Sequence, residues 1–155
     1  MLRSCIPSLL LLALAASAQT HPNFTGAWKQ DDSRSTVRPG SKLKYSNKID
    51  HQDPKLSKTT IADYGDREPT PYTVTYTTDG KPSKTSDREG DQIITTVNWE
   101  GNVLVFETGE KDKAGALFTR ETWALSEDGK TLTKKIHRAG GRGGDSDQTF
   151  VLEKQ

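Results

Sequence analysis

In Asn23-Phe24-Thr25-Gly26-Ala27-Trp28-Lys29, two aromatic rings and a glycine recur at every second position. In an extended chain such residues point to one face. Gly26 lets a ring or neighbouring backbone lie close, and Trp28 can cover one end of a small core. The stretch therefore predicts an opening strand with Phe24, Gly26 and Trp28 at the base of a β-structure.

What precedes it has a different character. Arg3 supplies a positive start, Ile6 to Ala16 an apolar run, and Ala16-Ser17-Ala18 a small-residue cleavage site. Residues 1–18 are read as a secretory signal peptide, and residues 19–155 as a single domain. The apolar run is short for a bilayer span and lacks a stop-transfer flank, so no transmembrane segment is expected in the mature chain. Cys5 lies before the run, where it cannot serve as a lipoprotein anchor. The expected location is the periplasm or the extracellular space.

The only cysteine and the only methionine leave with the leader, so the mature domain cannot be disulfide-stapled. Only 31% of the whole chain is hydrophobic. Such a thin core suits a small barrel or sandwich better than a helical bundle. The 22 basic and 21 acidic residues include Arg3, so the mature charges balance. That balance argues against nucleic acid or an anionic membrane as the main partner.

Most downstream apolar clusters are short, β-rich and bounded by turn residues. Asp31-Asp32-Ser33-Arg34-Ser35 reads as a turn or a single helical turn, and Arg38-Pro39-Gly40 as a connector. Leu43, Tyr45 and Asn47 alternate, Ile49 leads into a turn over Asp50-His51-Gln52-Asp53-Pro54, and Leu56 to Ala62 follows as a strand. Tyr72, Val74 and Tyr76 alternate before Asp79-Gly80, while Lys81 to Asp87 is at best a weak strand. Asp91 to Trp99 and Asn102 to Thr108 flank Glu100-Gly101; Ala116 to Leu125 and Thr131 to Arg138 flank Asp128-Gly129. Gly140 to Asp145 is a loop, and Gln148 to Glu153 closes the chain. The reading is all-β: roughly eight to ten strands in an antiparallel up-and-down meander closing into a barrel. In the strand ending at Leu125, both faces are mixed, and alternation leaves the inward face open.

Phe24-Thr25-Gly26-Ala27-Trp28-Lys29 at the head of such a meander resembles the start of a lipocalin or fatty-acid-binding protein, the calycin barrels. Trp99 to Glu107 and Glu121 to Thr133 are similar to segments of small exported lipocalin-like proteins of soil bacteria such as acidobacteria. The resemblance implies a calycin barrel with the Gly-x-Trp at its closed end. It also implies cations on late strands, here Arg120 and Arg138, set across the Trp or towards a ligand. Two motifs depart from the pattern. Thr78-Asp79 is followed by Gly80 rather than Tyr, and the last strand, Thr149-Phe150-Val151-Leu152-Glu153, lacks Arg-x-Tyr.

The function expected is binding of a small apolar or amphipathic molecule, with Trp99, Trp123, Arg120 and Arg138 as ligand residues. The alternative is an envelope or surface interaction protein whose barrel is packed solid. No cofactor is expected. The three histidines, His21, His51 and His137, show no zinc-ligand spacing, so no metal is expected either. No nucleophile elbow or other catalytic motif is present, and an enzyme is not expected. An enzyme would show a histidine or carboxylate inside the cavity with a perturbed pKa.

Overall fold

The computed structural model describes residues 21–37, 42–66, 68–86, 92–109, 117–140 and 144–155. The leader, the Arg38-Pro39-Gly40 connector and residues 141–143 of the glycine-rich run lie outside them. Ten strands follow one another: β1 Gly26–Gln30, β2 Lys44–Gln52, β3 Lys55–Asp63, β4 Tyr72–Thr77, β5 Pro82–Ser86, β6 Gln92–Glu100, β7 Val103–Thr108, β8 Phe118–Leu125, β9 Thr131–Ala139 and β10 Ser146–Lys154. No helix occurs among the described residues, and none is long and apolar enough to cross a membrane.

Every strand pairs antiparallel with its sequence neighbours except at one place. The order is β4-β3-β2-β1-β10-β9-β8-β7-β6-β5, with β1 against β10 joining the two ends of the chain. The ladder is interrupted between β4 and β5, so the sheet is a nearly closed barrel. Gly80, in the turn joining these two strands, donates its N–H to the Val97 carbonyl of β6 at 3.0 Å.

Tight turns set the register. At Asp128-Gly129, the Asp128 carboxylate accepts from Ser126 Oγ at 2.6 Å and from the Lys130 N–H at 3.0 Å. Gly129 takes the positive φ of 69° that this turn needs. Two sequence expectations need correction. β2 runs through to Gln52 instead of turning at Asp50, because the His51 ring packs inward 5.7 Å from Phe24 and 5.9 Å from Trp99. The polar segment Pro82–Ser86 forms a full strand, since pairing with β6 overrides its weak propensity. Asp31 to Ser35 is a turn and not a helix, its Asp31 side chain accepting from the Ser33 and Arg34 N–H groups.

The barrel interior is layered. At the closed end, residues 21–25 cross the barrel. Thr25 Oγ1 exchanges hydrogen bonds with the His51 backbone, the Phe24 N–H donates to His51 Nδ1 at 3.4 Å, and His21 stacks on Trp99 at 4.2 Å. Phe24, Trp28, Leu56, Leu104, Leu132 and Leu152 form the apolar core of this lower half. Gly26 has φ 151°, and a Cβ there would lie 2.7 Å from Lys154 Cε and 3.5 Å from Trp28 Nε1. Glycine thus takes this positive φ and leaves room for the Lys154 stem, while the Trp28 Nε1 beside it donates to the Phe24 carbonyl at 2.9 Å.

Candidate functional site

Above the apolar floor the inward face changes chemistry. The β8–β9 register settles which side points in: Trp123 lies opposite Lys134, and Glu121 opposite Ile136. Period two then places Glu121 and Trp123 of β8 inside with Lys134 of β9 and, across the barrel, Asn47 of β2 and Lys58 of β3. Lys134 is completely buried. Its Nζ lies 3.0 Å from Glu121 Oε1 and donates to Asn47 Oδ1 at 3.1 Å. Asn47 Nδ2 in turn donates to Thr60 Oγ1 at 3.2 Å, and Trp123 Nε1 to Glu121 Oε1 at 2.5 Å. This connected network satisfies the buried charges, as an interior ion pair requires.

Lys58, 8% exposed, is held differently. Its ammonium lies 5.4 Å from the Trp123 ring, 5.7 Å from Tyr76 and 5.9 Å from Phe106. These are cation–π distances. Burial works against its charge most strongly, but the Glu121 carboxylate together with Tyr76, Tyr45 and Tyr72 outweighs it, raising the Lys58 pKa above the ordinary lysine value. For Glu121, burial alone would push the pKa up. Lys134, Lys58 and the Trp123 N–H outweigh it and bring it down to about 2. A carboxylate held so firmly ionised is a poor proton donor. Its perturbation therefore has the sign of an ion pair, not that of a general acid. Tyr45 shows the same positive field: burial would raise its phenol, but Lys134 and Lys58 bring it below the usual tyrosine value.

Over this charged belt, towards the mouth, is a cavity of about 300 Å³. Its walls include Tyr45, Tyr72, Tyr76, Val74, Ile136 and Phe150, with Lys58, Thr60, Arg138 and Gln148 as polar members. Arg138 Nη1 donates to Gln148 Oε1 at 2.7 Å. A second concavity of about 630 Å³, as open to solvent as the first, runs along β1–β3 past Lys29, Lys48, Ile61 and Pro69. It is the larger concavity, but the buried polar groups converge inside the barrel, as they do at ligand sites.

The four residues expected to meet ligand are dispersed. Arg138 lies on the cavity wall. Trp123 is buried in the belt, its ring 4.6 Å from Phe106 and 5.6 Å from Phe24. Trp99 lies at the closed end between His21 and Phe24, with Nε1 3.4 Å from Asp53 Oδ1. Arg120 points outward and bridges Glu100 and Glu107, each at 2.7 Å. Phe24 and Trp28 are buried in the lower core, with Gly26 between them. Among the described residues no group of three His, Cys, Asp or Glu side chains is arranged to hold a metal.

Lys58, Glu121 and Lys134 were not singled out from sequence, although a signal exists. Leu56-x-Lys58-x-Thr60 and Leu132-x-Lys134-x-Ile136 each place a lysine in period with inward residues.

No protein-family model matches the chain, and no curated protein matches it in sequence. Solved structures do resemble it in fold. Zebrafish ileal bile acid-binding protein, solved with cholic acid, superposes with a TM-score of 0.63 at 17% identity, covering 85% of this chain and 98% of that one. Lipid-binding protein 8 of Caenorhabditis elegans gives 0.63 at 12% identity, over 85% and 95%. Fatty-acid-binding protein 1 of Echinococcus granulosus gives 0.60 at 14%, over 84% and 96%. At such identities the likeness establishes the fold alone, and that fold is calycin-like.

Proposed function

We propose that this chain is an exported calycin-like barrel that binds a small, partly apolar molecule in its upper half, acting as a binder and not a catalyst. The observation that carries this reading is the 300 Å³ cavity over the charged belt, walled by tyrosines and Phe150 with a few convergent polar groups. The similar folds named above are those of lipid- and bile acid-binding proteins, which supports the same reading. A barrel packed solid, the interaction-protein alternative, is disfavoured by that cavity.

The volume is at the lower end of the range for ligand sites and equals about ten water molecules in the liquid. The neutral probe N-phenyl-1-naphthylamine should bind saturably at micromolar concentration, corresponding to about −8 kcal/mol. A host lipid extract should compete. Absence of saturable binding by the folded monomer would remove the binding reading.

Export rests on the leader. The exported form should begin at Gln19 on N-terminal sequencing, and retention of residues 1–18 would overturn the compartment.

A further inference from the structure

The barrel interior carries an imbalance of charge. Among the described residues, the inward faces hold Lys58, Lys134 and Arg138 against the single carboxylate of Glu121. Glu121 is engaged by Lys134 at 3.0 Å and by the Trp123 N–H. Lys58 meets aromatic faces and lines the cavity. No carboxylate among the described residues bonds the Lys58 ammonium directly, and a buried cation gains most from a directly bonded anion. The fold holds the Lys58 charge only at a distance, through Glu121 and the ring faces, so its N–H donors on the cavity side are left for a ligand.

We propose that Lys58 is the anion-binding point at the floor of the cavity, that Arg138 adds positive potential on the cavity wall, and that the ligand is a compact, ring-bearing organic anion. This deepens the binding reading above and rests on it. The ring-bearing character follows from the walls: Tyr45, Tyr72, Tyr76 and Phe150 offer flat faces for stacking around the cation. The compactness follows from the volume, which takes a bicyclic acid but not an extended long acyl chain. The anion supplies what Lys58 lacks. With it bound, the ammonium gains a charge-assisted hydrogen bond in a low-dielectric site, where such bonds are strongest.

Calorimetric titration with 2-naphthoate and its neutral counterpart 2-naphthamide tests this directly, since the two share rings and differ in charge. The folded wild type should bind the naphthoate at least tenfold more tightly. Lys58→Met, of similar length, should abolish that preference by weakening naphthoate at least tenfold while leaving naphthamide within about twofold. Far-UV circular dichroism checks that the variant folds. If it does not, the wild-type preference and its weakening by salt still decide the matter. Equal affinity for the two probes would overturn the anion subsite and leave a ligand-binding barrel standing. Palmitate binding more tightly than naphthoate at the same site would overturn the compact class. If neither naphthalene binds while N-phenyl-1-naphthylamine does, the subsite falls alone; if all three fail, the binding reading falls with it.

Discussion

Glu121→Gln should cost about 3–5 kcal/mol of folding stability, the range found when one partner of a buried ion pair is removed. The wild-type carboxylate is the only acidic group among the described residues of the barrel interior. It lies 3.0 Å from Lys134 and supports the charge on Lys58. Glutamine keeps the shape and can still accept from the Trp123 N–H, so the loss comes from charge and not from volume. Lys134 keeps Asn47 as its acceptor, but its charge and that of Lys58 then repel across a medium of low dielectric.

The pH dependence gives an independent measure of the same interaction. Folding lowers the Glu121 pKa from an ordinary 4.5 to about 2. A group whose folded pKa is depressed contributes stability that is complete above its unfolded pKa and is lost as pH falls through the folded one. The wild type should hold this contribution above about pH 5 and lose it progressively towards pH 2. The whole fall corresponds to about 3 kcal/mol. In urea titrations across that window, the variant should show a flatter stability profile than the wild type, and the two should converge near pH 2. A loss below about 1 kcal/mol at neutral pH with an unchanged acid profile would show that the carboxylate is not engaged as described.

That such a belt exists was only partly legible beforehand. The strands were readable because turn pairs such as Asp79-Gly80 and Asp128-Gly129 fix where chain direction reverses, and local backbone chemistry decides that. The inward face of β8 was not readable, because Thr119, Glu121, Trp123 and Leu125 alternate with Phe118, Arg120, Thr122 and Ala124, each set holding both apolar and charged members. What breaks the tie is the partner strand. Lys134 opposite Trp123 brings Glu121 within reach of an ammonium, and only pairing across strands reveals it. Arg120 was misleading for a related reason: it lies on a late strand, but Glu100 and Glu107 on neighbouring outer positions draw it outward. β5 was underestimated because its stability comes from β6 and not from its own residues. The cavity position of Lys58 depends on how the sheet curls, which no local pattern encodes.

Trp28→Ala should destabilise the fold by about 3–5 kcal/mol, as large aromatic deletions in a packed core do. Trp28 is 1% exposed and belongs to the apolar floor beneath the charged belt. Truncation removes the ring, opens a void that the surrounding strands can close only in part, and leaves the Phe24 carbonyl without the indole N–H at 2.9 Å. It also takes away the face over which the Lys154 ammonium sits, 5.4 Å from the ring. The position has a second consequence, because β1 is the strand on which the sheet closes against β10 through Trp28↔Lys154 and Gln30↔Leu152. A void at this seam weakens the joining of the first and last strands. Trp28→Phe separates the contributions: it retains most of the ring's contact and removes the N–H donor, so its cost should be clearly smaller than that of alanine. Ile94→Ala, at a site 51% exposed, should stay within about 0.5 kcal/mol and serves as the surface reference. Equilibrium urea unfolding followed by circular dichroism measures all three, with the slope showing whether the extent of unfolding has changed. A cost below about 1 kcal/mol for Trp28→Ala would place the ring outside the core and remove the opening Phe24-x-Gly26-x-Trp28 pattern from its organising role.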